Sequence, residues 1–246
     1  MKSTADIDWR SAGWEGLAPR VGRVRLPGWD CTTGLVVGDD AALLIDTGSS
    51  LREGARLRAD TRRLLGARTR VAHIALTHPH FDHVLGTAAF AGVEVYGAAG
   101  IDTVLAGDGA DTLRADAVRH GVDPDAAAEA ADVLVTPAHR ICGERTLDLG
   151  GGVQVLLANV GPGHTAHDLA VLVPGPEIVF CGDLVEESGE PQAGTDASPR
   201  LWPEALDRLL ALGGDDARYV PGHGSVVNAD FVREQRATLA ARFGVS

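Results

Sequence analysis

The sequence predicts an α+β protein built as a four-layer αββα sandwich. Two groups of short apolar segments, separated by turns rich in Gly, Asp and Pro, are typical of strands joined by tight connections. Segments with helical character lie between and after these groups. Because a sheet must bury its apolar face against another layer, this pattern favours two sheets packed together, with helices on their outer faces.

The first strand group occupies the first part of the chain. A helix is predicted for residues 51–65, with Ser50 as its N-cap and Gly66 as the residue that ends it. A short second helix is expected at 84–89. The strands are expected at residues 24–26, 34–37, 41–45, 71–76 and 93–96.

The region around residues 99–140 is rich in Ala and Asp and is predicted to be a helical insertion into a single domain of residues 1–246. Its helical stretches lie near 100–105, 111–120 and 124–134. The second strand group follows at 146–149, 153–158, 169–173 and 177–181, and helices are expected at 201–212 and 229–241. The segment 186–202, rich in Gly, Pro and Ser, is predicted to be either a lid or an ordinary exposed loop.

Composition excludes several classes of partner. The net charge is −12, from 34 acidic and 22 basic residues, which argues against binding to nucleic acid. No segment reaches the roughly 18 apolar residues of a membrane span, and residues 1–8 lack the apolar core of a signal peptide. Cys31, Cys142 and Cys181 are odd in number and widely spaced, as in a reducing compartment. We therefore expect a cytoplasmic protein with a small-molecule substrate, and a homodimer is compatible with the sequence.

The segment THPHFDH, residues 77–83, places three imidazoles and a carboxylate within six positions. Buried imidazoles beside a carboxylate are costly unless a cation organises them. On the expected strand-to-helix turn, His78 and His80 can point the same way, whereas Asp82 and His83 start a helix and face a neighbouring point. Two metals therefore fit better than one.

Three later turns, at residues 161–165, 181–184 and 221–224, each offer one more ligand next to glycines that allow close backbone approach. A pair of metals needs six or seven nitrogen and oxygen ligands at roughly 2.0–2.2 Å. The sequence supplies seven: His78, His80, Asp82, His83, His164, Asp183 and His223.

These four motifs, in this order, resemble those of the metallo-β-lactamase fold superfamily of metallo-hydrolases, from about residue 35 to residue 223. The resemblance implies the fold of that name and two Zn²⁺ ions, with Fe or Mn as alternatives. It also implies a first metal on His78, His80 and His164, a second on Asp82, His83 and His223, and Asp183 as the bridge. Asp46 matches a position that usually supports the ligand loop, and a purely turn-forming Asp46 is an equal alternative.

Two metals about 3.5–4 Å apart lower the pKa of a shared water and supply a hydroxide, so no protein nucleophile is needed. Asp82 is expected to accept or orient the proton, and Asp82 and Asp183 are the predicted catalytic residues. The predicted function is a dinuclear, zinc-dependent hydrolase of a small ester, thioester, lactone or related bond. Asp183 stands where true metallo-β-lactamases carry Cys or Ser, and Ala166-His167-Asp168 departs from the Pro-Gly-His of the glyoxalase II group.

Two alternatives remain open. The protein could be an iron-dependent sulfur dioxygenase or a di-iron redox protein of the same superfamily, or a non-catalytic metal-binding protein. The flanking residues also have two readings each. His120 and His139 are candidates for substrate contact, His167 is expected to be structural, and Trp29 and Trp202 are either pocket walls or core.

Overall fold

Two β-sheets lie at the centre of the computed structural model, which describes residues 7–67 and 69–245. The strands of the first sheet are β1 (Glu15–Ala18), β2 (Val21–Arg25), β3 (Thr32–Val37), β4 (Ala42–Ile45), β5 (Val71–Ala75), β6 (Glu94–Ala98) and β7 (His139–Ile141). Those of the second are β8 (Glu144–Asp148), β9 (Gln154–Asn159), β10 (Leu169–Val173), β11 (Ile178–Glu186) and β12 (Arg218–His223). Within each sheet, strands that follow one another in sequence are also neighbours in space.

The helices lie outside the two sheets. They are α1 (Leu51–Leu65), α2 (Phe81–Val84), α3 (Ile101–Leu105), α4 (Gly109–Arg119), α5 (Pro124–Asp132), α6 (Trp202–Gly213) and α7 (Ala229–Phe243). None of the helices in the described part of the chain is long and apolar enough to cross a membrane. Residues 1–6, on which the expected absence of a signal peptide partly rests, lie outside the described residues.

Strand β4 illustrates how the layers pack. Its side chains alternate between two apolar clusters, because successive residues of a strand point to opposite faces. Ala42 and Leu44 join the cluster beneath the helices of the first sheet, whereas Leu43 and Ile45 join the cluster between the two sheets. A third cluster lies between the second sheet and helices α6 and α7. These layers confirm the predicted four-layer αββα sandwich.

Two parallel strand pairs set the position of the functional site. Strands β4 and β5 pair in parallel in the first sheet, and β11 and β12 pair in parallel in the second. Parallel strands end at the same edge of their sheet, so residues at their carboxyl ends are brought together. The segment after β5 carries the His-rich motif, while Asp183 lies on β11 and His223 ends β12.

Several predicted elements agree with the structure. Helix α1 has the predicted bounds, the Ser50 hydroxyl accepts a hydrogen bond from the Glu53 N–H, and Gly66 ends the helix. Helices α3, α4 and α5 occupy the predicted helical region, and α6 and α7 differ from the predicted ranges by one or two residues at their ends. The single-domain organisation stays a prediction.

Other boundaries were wrong. The short, partly exposed strands β1 and β7 were not predicted because they contain few apolar residues. The helix expected at 84–89 is replaced by α2 and a 3₁₀ turn at Thr87–Ala89. Strand β11 does not end at Cys181 but continues to Glu186, because Gly182 adopts a φ of +54° where the register shifts and the strand bends without ending. Asp183 is therefore held by a strand and not by a turn.

Candidate metal centre

The other six predicted ligands lie around the carboxylate of Asp183. Its Oδ2 atom lies 3.6 Å from His78 Nε2, 3.6 Å from His164 Nε2 and 3.3 Å from His223 Nε2. Its Oδ1 atom lies 3.3 Å from His83 Nε2. Two ligands held about 2.1 Å from one ion in tetrahedral geometry lie about 3.4 Å apart. The distances of 3.3–3.6 Å between the Asp183 oxygens and the imidazole nitrogens therefore match those between ligands of one metal ion.

Two groups of ligand atoms meet at this carboxylate. Each group holds donor atoms within 4.8 Å of one another, and both include Asp183. Asp82 adjoins the second group, with its Oδ2 atom 3.6 Å from His83 Nε2 and 3.3 Å from His223 Nε2. The first group is His78, His80, His164 and Asp183, and the second is His83, Asp183 and His223.

Asp46 orients two of the imidazoles from outside. It follows β4 with a left-handed φ of 60°, and its carboxylate accepts hydrogen bonds from the Thr77 N–H and the Thr77 hydroxyl, both at 2.8 Å. Its Oδ2 atom also lies 2.8 Å from His83 Nδ1, which must donate to it. Thr77 Oγ1 in turn accepts from His78 Nδ1 at 2.9 Å. In the neutral imidazoles, Nε2 of His78 and Nε2 of His83 are left as acceptors that face the carboxylates.

In the other three imidazoles as well, one ring nitrogen donates a hydrogen bond to a protein oxygen outside the site. His223 Nδ1 donates to the Trp29 carbonyl at 2.7 Å. His80 Nε2 donates to Asp196 Oδ2 at 2.9 Å, and His164 Nδ1 donates to the Gln192 carbonyl at 3.2 Å. Each ring therefore presents its second nitrogen to the interior of the site, as metal-binding histidines do.

Buried polar atoms without partners indicate that the site can bind a cation. His78 Nε2 and Asp183 Oδ1 are both buried and have no hydrogen-bond partner, which is a costly arrangement unless a further group binds there. Burial opposes ionisation of Asp183, but the neighbouring His83, His78 and His223 hold the pKa of Asp183 well below its usual range. Burial lowers the pKa of His164 to about 4, so this ring is neutral and able to coordinate. The donor set and its charge fit a pair of divalent metal ions.

The comparisons with known proteins address the same region. A family model described as the metallo-beta-lactamase superfamily matches residues 26–223. The chain belongs to the metallo-beta-lactamase superfamily. Members of this superfamily are mostly hydrolases, and its fold is that of metal-dependent hydrolases.

Solved structures agree on the superfamily fold. Metallo-β-lactamase FIM-1 from Pseudomonas aeruginosa, in a mono-zinc form, is 21% identical with a TM-score of 0.70, over 95% of this chain and 96% of that one. A metallo-β-lactamase from Pontibacter korlensis is 22% identical with a TM-score of 0.68, over 92% and 97%. VMB-1 is 18% identical with a TM-score of 0.68, over 94% and 97%. At identities this low, the similarity concerns the fold alone. The three structures confirm the predicted metallo-β-lactamase fold.

The remaining histidines lie outside the two donor groups of the candidate site. His167 Nδ1 is bonded to the Ala99 carbonyl at 2.9 Å, a structural contact of the kind expected for it. His139 stacks on Tyr96 and pairs with Glu94. His120 is exposed and stacks on Phe81, with ring centroids 5.4 Å apart.

The two tryptophans differ in environment. Trp202 is fully buried, donates from Nε1 to the Leu184 carbonyl, and packs edge-on against His164. Trp29 is half-buried, and its ring meets Phe81 edge-on at 5.6 Å. Trp202 therefore belongs to the core, whereas Trp29 lies beside the site through its carbonyl contact with His223.

Besides the Trp29 carbonyl, sequence reasoning missed three contributors to the site. The Asp196 side chain and the Gln192 carbonyl come from the irregular segment between β11 and α6, where no motif marks them. Cys31 is buried, with Sγ 3.7 Å from His83 Nδ1 and 3.9 Å from His83 Nε2. Its nearness to Asp82 and His83 forms a third group of donor atoms, and no sequence spacing signals it.

Gly222 provides a direct test of the Asp183 position. A Cβ atom at Gly222 would lie 1.8 Å from Asp183 Oδ1, so Gly222→Ala must displace this carboxylate. We expect Gly222→Ala to weaken zinc binding by about 10–100-fold, a loss typical of disturbed ligand orientation. Isothermal titration with zinc would measure the loss. Gly143→Ala is the matched control, because a Cβ at Gly143 meets nothing within 4 Å. Equal affinities in the two variants would contradict this geometry.

Proposed function

We propose that the protein is a dinuclear zinc hydrolase acting on a small ester, thioester, lactone or related bond. One observation carries the proposal: a single buried carboxylate, Asp183, lies between two groups of imidazoles, with four of their Nε2 atoms 3.3–3.6 Å from its oxygens. A single-metal site does not require a carboxylate placed between two complete donor groups.

The proposed ligand assignment follows these groups. The first metal would be held by His78, His80, His164 and Asp183. The second would be held by Asp82, His83, His223 and Asp183. When bound there, the zinc ions would supply an activated water and Lewis acidity toward the bond that is cleaved.

The chain's own residues then position the reactants. Burial and Asp183 would raise the pKa of Asp82, but His83 and His223 outweigh them and lower it, so the carboxylate is ionised and can accept or orient a proton. The side chain of His80 is 25% exposed, whereas His78 and His83 are fully buried. We infer that a small substrate approaches from the side of His80. The expected cytoplasmic location is part of this proposal.

The test is metal analysis followed by a substrate panel. Purified protein saturated with zinc and then desalted should hold close to two equivalents. It should hydrolyse a member of a panel of thioesters, lactones, phosphodiesters and β-lactams. Removal of zinc with a chelator should abolish this activity, and added zinc should restore it. A protein with no affinity for zinc would overturn the proposal, and iron content with thiol-dependent oxygen uptake would replace it with the dioxygenase alternative.

A further inference from the structure

The segment of residues 187–201, here called the site loop, connects β11 to α6 and lies beside the first donor group. It touches that group twice, at the outer nitrogens of two imidazoles: Asp196 Oδ2 at His80 Nε2 and the Gln192 carbonyl at His164 Nδ1. The loop is also tied to the fold, because the Ser198 N–H donates to the Gly163 carbonyl next to His164. Loop position and imidazole orientation are thus physically linked.

The hydrogen bonds determine which nitrogen of each ring carries a proton. A carboxylate and a carbonyl oxygen can only accept, so His80 Nε2 and His164 Nδ1 must donate to them. In the neutral rings, His80 Nδ1 and His164 Nε2 are then both acceptors. These two atoms lie 3.0 Å apart. Two facing lone pairs at this distance repel each other unless a cation, either a metal ion or a proton on one of the two nitrogens, lies between them.

We propose that the site loop and the first metal stabilise each other, with Asp196 as the positioning residue that fixes the orientation of His80. This inference rests on the proposed function, because it takes the first donor group as a metal site. With a metal on His80 and His164, both rings keep the protonation that the loop requires. Without a metal, either a proton takes its place between the two nitrogens, or a ring turns its proton inward and loses its bond to the loop. By linkage, whatever the loop contributes to metal binding, the metal contributes equally to loop closure.

The location of Asp196 separates this role from a structural one. Its side chain is 48% exposed, and ion pairs at exposed sites contribute about 0–1 kcal/mol to folding stability. Loss of an outer-shell partner of a metal-bound histidine, by contrast, typically lowers metal affinity about 10–100-fold. A positioning role therefore predicts a large change in metal binding with little change in stability.

The experiment compares zinc affinities by competition with a chromophoric chelator. For Asp196→Ala we expect one of the two zinc equivalents to bind about 10–100-fold more weakly, with the other unchanged. Asp196→Asn keeps an acceptor oxygen and should lose less. Glu190→Gln is the matched control, because Glu190 is an exposed carboxylate of the same loop and should leave both affinities unchanged.

Hydrogen exchange supplies the second readout. Zinc should slow amide exchange in residues 187–201 of the unmodified protein, and this protection should shrink in Asp196→Ala. The inference would be overturned by unchanged zinc affinities in Asp196→Ala, or by amide exchange rates in residues 187–201 that are the same with and without zinc. Either result would leave the proposed function intact. An unmodified protein that binds no zinc would instead refute the proposed function.

Discussion

Replacement of Asp183 by Asn is expected to abolish tight binding at both metal sites and to lower hydrolytic activity by about 10³-fold, because a metal centre supplies several kcal/mol of transition-state stabilisation. The carboxylate lies within 3.6 Å of four imidazole nitrogens from the two donor groups. Asn has nearly the same shape, but its amide is neutral and places an NH₂ donor where a metal would bind. The loss should therefore be shared by both sites.

The measurements are zinc stoichiometry by elemental analysis and kcat/KM on the best substrate of the panel. Asp111→Asn makes the same chemical change on helix α4, where the side chain is 75% exposed, and should keep two equivalents and full activity. If Asp183→Asn lost only one zinc equivalent, Asp183 would serve one metal and the bridged arrangement would be wrong.

The second large effect is expected at Asp46. Asp46→Asn should lower the free energy of unfolding of the metal-free protein by about 1–3 kcal/mol, the cost of leaving a buried donor unpaired. Three donors converge on this carboxylate: the Thr77 N–H, the Thr77 hydroxyl and His83 Nδ1. An amide has one acceptor oxygen and cannot receive all three. Zinc affinity should fall by about 10–100-fold as well, because His78 and His83 are both oriented through this group.

This substitution also separates the two readings of Asp46. The backbone at Asp46 is left-handed, with a φ of 60°, a conformation that Asn tolerates as well as Asp does. If Asp46 only formed the turn after β4, Asp46→Asn would leave stability and zinc affinity unchanged. Urea unfolding of the chelator-treated protein, followed by zinc titration, decides between the two. Asp39→Asn, in the exposed turn between β3 and β4, is the control.

The sequence was informative where chemistry and local geometry coincide. The sequence predicted that the motif around His78 and His80 would lie with the Gly-flanked His164, Asp183 and His223, because ligand-rich turns combine residue types that rarely occur together. The structure brings these side chains together, and their role as metal ligands stays a prediction. Helix α1 could be predicted from its capping residues, Ser50 and Gly66. In both cases a few neighbouring residues determine the structure.

What was missed depends on contacts between distant parts of the chain. Asp196 lies 116 residues from His80, in a segment with no regular structure. The acceptors for His164 and His223 are backbone carbonyls of Gln192 and Trp29, which any residue type can provide. Such partners are set by the tertiary fold, so sequence spacing cannot reveal them.

The parallel strand pairs at the centre of the fold have a consequence for assembly. Each ligand set of the proposed assignment takes two residues from the first half of the chain and two from the second: His78 and His80 with His164 and Asp183, and Asp82 and His83 with Asp183 and His223. Neither half alone carries a complete set. Metal binding therefore reports the docking of the two halves and not the formation of either sheet. At zinc concentrations 100 times the Kd, each occupied site would add about 2.7 kcal/mol to the free energy of unfolding. The bound ions would therefore stabilise the packing of the two halves against each other.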